Sequence, residues 1–101
     1  MKKYNIKEGV VCGRENNEDL FIRKKKFKKG YTEKDFHYHL NSFEFYVVLS
    51  GELIFYSEEN KLIKAKKNSI IYFKDSEKHK ITEVLLDSEL LLIKKIESEK
   101  M

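Results

Sequence analysis

Beyond Phe21 the apolar residues of this chain arrive in short runs, mostly of four or five, and each is closed within a few positions by turn-forming or charged residues. That rhythm is the strongest constraint on the fold. A strand is complete in ~4–8 residues, whereas a helix needs ~10–12 residues of one-sided periodicity to bury a face. Phe45-Tyr46-Val47-Val48-Leu49 is rich in β-branched and aromatic residues and ends at Ser50-Gly51. Leu53-Ile54-Phe55-Tyr56 follows at once, then the turn-rich Ser57-Glu58-Glu59-Asn60, then Leu62-Ile63-Lys64-Ala65, a pattern that predicts a hairpin. Phe21 to Phe27, Ile70-Ile71-Tyr72-Phe73 and His79-Lys80-Ile81-Thr82 supply further strands. Many short strands separated by close turns specify an all-β sandwich or barrel. Glu83 to Ile96 is ambiguous, because its Leu, Glu and Lys residues also satisfy a helix. Asp87-Ser88 interrupts it, and two strands joined there, Val84-Leu85-Leu86 and Leu90 to Ile93, are the preferred reading. A C-terminal helix packed on the sheet is the alternative.

A chain of 101 residues has the length of one domain, 1–101, with a core feasible without disulfides. Its 41% hydrophobic and 38% charged residues describe a globular protein with a heavily solvated surface. Cys12 is the only cysteine, so no internal disulfide forms, which suits a reducing cytoplasm; it reads as a small buried residue, not a nucleophile. No apolar stretch approaches the ~18 residues of a membrane span, and no apolar segment follows the charged N-terminus. A soluble, cytoplasmic protein is expected. The net charge of +4 is spread along the chain as Lys mixed with Glu. Only Lys24-Lys25-Lys26 with Lys28-Lys29 around Phe27 forms a basic cluster, and it reads as a solvated edge, so no nucleic-acid partner is expected.

The chain has three histidines, and two of them form His37-Tyr38-His39 in a β-rich neighbourhood. In a strand, residues i and i+2 project from the same face, about 7 Å apart along the chain, so both rings can converge on one ion. Glu44 lies past the bend Asn41-Ser42, where a carboxylate can turn back toward the pair, and His79 opens a later strand that a barrel can bring opposite. Three imidazole nitrogens and one carboxylate oxygen suit Fe(II), Mn(II), Co(II), Ni(II) or Zn(II) with a position left open for water or substrate. A His-x-His pair alone is equally an ordinary, partly buried polar pair, so the ligand set depends on a wider pattern.

In that wider pattern the chain resembles the cupin superfamily. Gly30, His37, His39, Glu44 and Gly51 follow the order of its first motif, with four residues between His39 and Glu44 and six between Glu44 and Gly51, and His79 takes the histidine position of the second motif. The resemblance implies a cupin-type double-stranded β-helix, or jelly-roll barrel, with a divalent transition metal on His37, His39, Glu44 and His79. It departs from the pattern in four places. Six residues instead of five separate Gly30 from His37. Asn68 stands where a turn glycine is usual, and Asn is the non-Gly residue that best tolerates positive φ. Lys74-Asp75-Ser76 replaces the rigid Pro-x-Gly turn before His79, and Glu83 stands where the second motif ends in Asn.

On strand alternation Tyr46 and Val48 share the inward face of Glu44, and Ile81 that of His79, as core residues; Gly51 serves turn geometry. With every histidine on a metal position, a Ser/His/Asp or Cys/His hydrolase is unsupported. The resemblance implies a metal-dependent enzyme acting on a small molecule, of dioxygenase, isomerase or epimerase type. The competing class is a non-catalytic ligand-binding or sensor module. Open strand edges and the family together suggest a homodimer.

Overall fold

Two long strands organise the molecule. In the computed structural model, which describes residues 11–12, 20–38, 42–59, 61–74 and 76–96, β3 runs Ser42–Ser57 and β6 runs His79–Ile96. They pair antiparallel along their whole length, from Ser42 opposite Ile96 to Ser57 opposite His79. Four shorter strands attach to them: β1 (Val11–Cys12), β2 (Leu20–Phe27), β4 (Lys61–Lys66) and β5 (Ile70–Phe73). The order is β1-β2-β6-β3-β4, with β5 also on β3. β5 pairs with the first half of β3 and β4 with its second half, while β2 takes the second half of β6. Each long strand thus serves both layers of an all-β barrel of the double-stranded β-helix type.

The expected hairpin is present, with Leu53 opposite Ala65 and Tyr56 opposite Leu62. Glu83 to Ile96 is strand, not helix. Two expected breaks are bends inside continuous strands. Ser50-Gly51 does not end a strand, and Asp87-Ser88 does not separate two. The β3–β6 ladder instead slips register between Val48 and Ser50, Ser50 and Glu52, and Glu52 and Leu53. These bulges bend the strands and invert the parity of the buried face. Before the bend Glu44, Tyr46 and Val48 point inward; after it Leu53, Phe55 and Ser57 do. Without the inversion Leu53 and Phe55, both fully buried, would face solvent, at about 1.5–3 kcal/mol each.

Gly51 makes that bend possible twice over. Its φ is +92°, and a Cβ there would fall 2.2 Å from Ser88 Oγ and 2.4 Å from the Asp87 carbonyl oxygen. It therefore serves close approach as well as turn geometry. Ser88 clasps the corner: its hydroxyl donates to the Leu86 carbonyl at 2.7 Å and accepts from the Glu52 N–H at 3.0 Å. Asn68 adopts φ 74°, as its identity predicts for a turn position lacking glycine.

Tyr46, Val48, Phe55, Phe73, Ile81, Val84, Leu90 and Leu92 form the core with Phe27, Leu53, Ala65 and Ile71. The segment from Gly30 to His37 has no regular structure, but it covers the free edge of β6. Gly30 N–H bonds the Val84 carbonyl, Glu33 N–H that of Ile81, and His37 and His79 exchange both backbone hydrogen bonds at 2.8 and 2.9 Å. Residue 37 is thereby fixed opposite residue 79, at one mouth of the barrel.

Candidate metal centre

His79 is deeply buried at that mouth. It is 2% exposed, and its ring stacks on Phe73 with centroids 3.9 Å apart and planes 5° from parallel. The turn that presents it lacks the usual Pro and Gly. Ser76 takes the left-handed conformation itself, with φ 64°, and the buried Glu77 carboxylate holds the turn closed. That carboxylate accepts from the Lys74 N–H at 3.2 Å and, through a short contact, from the Ser57 hydroxyl at the end of β3. Side-chain hydrogen bonds here do what a proline ring does elsewhere.

The Glu77 main chain then sets the tautomer. His79 Nδ1 lies 2.9 Å from the Glu77 carbonyl oxygen, which can only accept, so Nδ1 carries hydrogen and Nε2 of the neutral ring is a lone pair. That nitrogen stands 2.9 Å from Glu44 Oε1, and both side chains are 3% exposed. The contact is close but lacks the alignment of a hydrogen bond. A bare lone pair facing a carboxylate oxygen in a buried site is repulsive, so the arrangement calls for a positive charge, either a proton on Nε2 or a metal ion. Burial alone would push the His79 pKa down; the Glu44 carboxylate and the Glu77 carbonyl outweigh it and hold the imidazole above its usual value.

His37 sits farther out, its ring centroid 6.3 Å from that of His79, with its side chain 49% exposed and Nε2 3.0 Å from Glu33 Oε2. His39 lies outside the described residues. Among the described residues no three His, Cys, Asp or Glu side chains gather tightly enough to enclose an ion. Glu44 and His79 are brought together, and His37 stands at the rim. A cavity of about 130 Å³ opens beside them, lined by Glu33, His37, Glu44, Tyr46, Leu92, Lys25 and Lys94. Burial first, then the Glu44 and Glu33 carboxylates, push the Tyr46 phenol far up, so it stays a neutral hydroxyl at any working pH.

Glu33 has no counterpart in the sequence reading. Its Oε1 accepts from the Ile81 N–H at 2.7 Å, tying the rim segment to β6, while Oε2 faces His37. Lys94 was missed as well. Its Nζ lies 4.0 Å from Glu44 Oε2. The only advance signal was its spacing of two and four from the apolar Leu92 and Leu90, which puts it on the inward face.

A family profile described as a cupin domain matches residues 25–87. The fold is similar to a predicted oxalate decarboxylase from Thermotoga maritima, with TM-score 0.74, 21% identity, and coverage of 86% of this chain and 76% of that one. It is equally similar to a cupin protein from Bacteroides fragilis, with TM-score 0.74, 13% identity, and coverage of 99% and 87%. A DMSP lyase from Ruegeria pomeroyi matches with TM-score 0.69 and 18% identity, over 81% of this chain and 41% of the lyase. No curated protein matches the sequence. No helix among the described residues is long and apolar enough to cross a membrane. The barrel, the paired Glu44 and His79 at its mouth, and a profile spanning well over half the sequence lead to one statement: this chain belongs to the cupin family.

Proposed function

We propose that the protein is a metal-dependent enzyme acting on a small molecule at the mouth of its barrel. The observation that carries this is the fixed Nε2 lone pair of His79 set against the buried Glu44 carboxylate, an arrangement a cation completes. Glu44 and His79 would hold the ion, with His37 exchanging its Glu33 contact for it and His39, the remaining family position, as fourth ligand. Nitrogen and oxygen donors in this ratio suit Fe, Mn, Co, Ni or Zn. A bound divalent ion supplies Lewis-acid polarisation of a substrate oxygen or activation of O2.

The chain's own groups do the rest. Glu77 holds the His79 tautomer, Phe73 fixes the ring plane, and Glu33 keeps the rim segment closed against β6. Tyr46 offers a neutral hydroxyl to the cavity. The names of the similar structures reported above span a predicted oxalate decarboxylase and a DMSP lyase, and the proposal accordingly stops at the reaction class. A homodimer in a reducing cytoplasm completes it, supported by the apolar outer surface of β5 and by the single cysteine.

Elemental analysis of protein purified without added metal tests the reading. Roughly one transition-metal ion per chain is expected, lost in Glu44→Ala and His79→Ala. Protein that contains none and takes none up overturns it. Metal-loaded protein that retains a metabolite unchanged, with no turnover, assigns the site to binding instead of catalysis.

A further inference from the structure

The inward row of β2 carries charge where a barrel normally carries apolar residues. Phe27 is buried, and strand alternation puts Lys25 and Arg23 on the same face; Arg23 is registered opposite the buried Leu92 and Lys25 opposite the buried Leu90. Lys94 continues the buried Leu90 and Leu92 row of β6. Lys25 and Lys94 both line the 130 Å³ cavity beside Glu44. The even-numbered lysines of β2 behave differently: Lys24 and Lys26 reach Glu89 at 3.4 and 3.5 Å. The basic stretch is thus split by strand parity. One half meets a carboxylate at the surface, and the other half is turned toward the barrel. Cations gathered in a partly desolvated cleft are stabilised by an anion placed among them.

We propose that this cavity takes a short-chain carboxylate, with the carboxylate group on the ammonium groups of Lys25 and Lys94. The inference rests on the proposed function in taking the space beside Glu44 and His79 as the substrate's place. It adds the chemical class. The charges support an anion: a seated divalent ion and two lysines outweigh the carboxylates of Glu33 and Glu44. The volume limits its size. A cavity of about 130 Å³ seats a group of a few carbons with their oxygens beside the two ammonium groups.

Calorimetric titration of the metal-loaded protein with malonate, malonamide and inorganic phosphate is the test. Malonate is expected to bind in the submillimolar range, more weakly as salt rises, with malonamide at least tenfold weaker. Lys25→Met is expected to weaken malonate at least tenfold while metal content stays unchanged, and Lys94→Met to weaken malonate at least tenfold as well. Metal uptake without malonate binding at millimolar concentration overturns the inference and leaves the metal reading standing. Malonate affinity indifferent to both substitutions, or phosphate binding tighter than malonate, overturns it too. Protein that takes up no metal yet binds malonate through Lys25 and Lys94 sinks the metal reading and retains this one.

Discussion

At His79 the proposed metal ion would compete with a proton for one nitrogen. The folded imidazole titrates above the ~6.5 of an unfolded histidine. In metal-free protein the His79–Glu44 pair therefore contributes stability that is full below about pH 6.5 and is lost as pH rises through the higher folded value. A metal ion on Nε2 would need the deprotonated ring, so its stabilisation would grow over that same window. Melting curves from about pH 5.5 to 9, with and without Zn or Mn, should diverge with rising pH. Parallel curves would show that His79 Nε2 is not a ligand. Glu44→Gln should flatten both trends and weaken metal at least tenfold, the lower end of the ~10–100-fold that even changes behind the ligands cost. Of the residues at this mouth, Glu44 and His79 were legible because their spacing matches a motif. Glu33 was not, because it acts through the edge of a strand nearly fifty positions away. Lys25 looked like one of a run of solvated lysines, and only its register with Leu90 gives it an inward direction.

Among the elements, the informative positions are those where a strand changes direction. Gly51→Ala should destabilise by about 2–5 kcal/mol, combining left-handed strain with the clash against Ser88. Chemical denaturation measures it, and a loss below ~1 kcal/mol would mean that the corner yields. Glu77→Ala should cost about 2–3 kcal/mol by leaving the Ser57 hydroxyl and the Lys74 N–H without their acceptor. It should also weaken metal binding, since the turn positions His79; an unchanged metal affinity would reduce Glu77 to a fold stabiliser. The strands themselves could be read from apolar runs and turn residues. Their continuity could not. Ser50-Gly51 and Asp87-Ser88 have the composition of chain reversals, and local preference cannot distinguish a reversal from a bulge that faces another bulge across the sheet. The left-handed Ser76 was equally hidden, because what permits it is the Glu77 carboxylate and not the identity of Ser76.

For the whole molecule, the large apolar side chains exposed among the described residues lie both in the rim segment, at Tyr31, Phe36 and Tyr38, and on the outer faces of strands. Ile70 is 64% and Tyr72 51% exposed on β5, and Tyr72 stacks on Phe45 of β3 with centroids 5.0 Å apart. A second copy of the chain covering this surface should give a solution mass near twice 12.1 kDa by light scattering, and Ile70→Lys should shift it toward the single chain. A mass of one chain for the parent protein would refute the homodimer. The pairing of β3 with β6 has a kinetic side. Glu44 and His79 stand 35 positions apart, and they meet only after both long strands have found each other and bent together. Such non-local pairing belongs to chains that fold in milliseconds to seconds. No segment short enough to form early carries both groups, so this buried pair does not exist before the barrel does. An ion held by the pair would then act as a bolt on a finished barrel, slowing the reopening of a structure already closed.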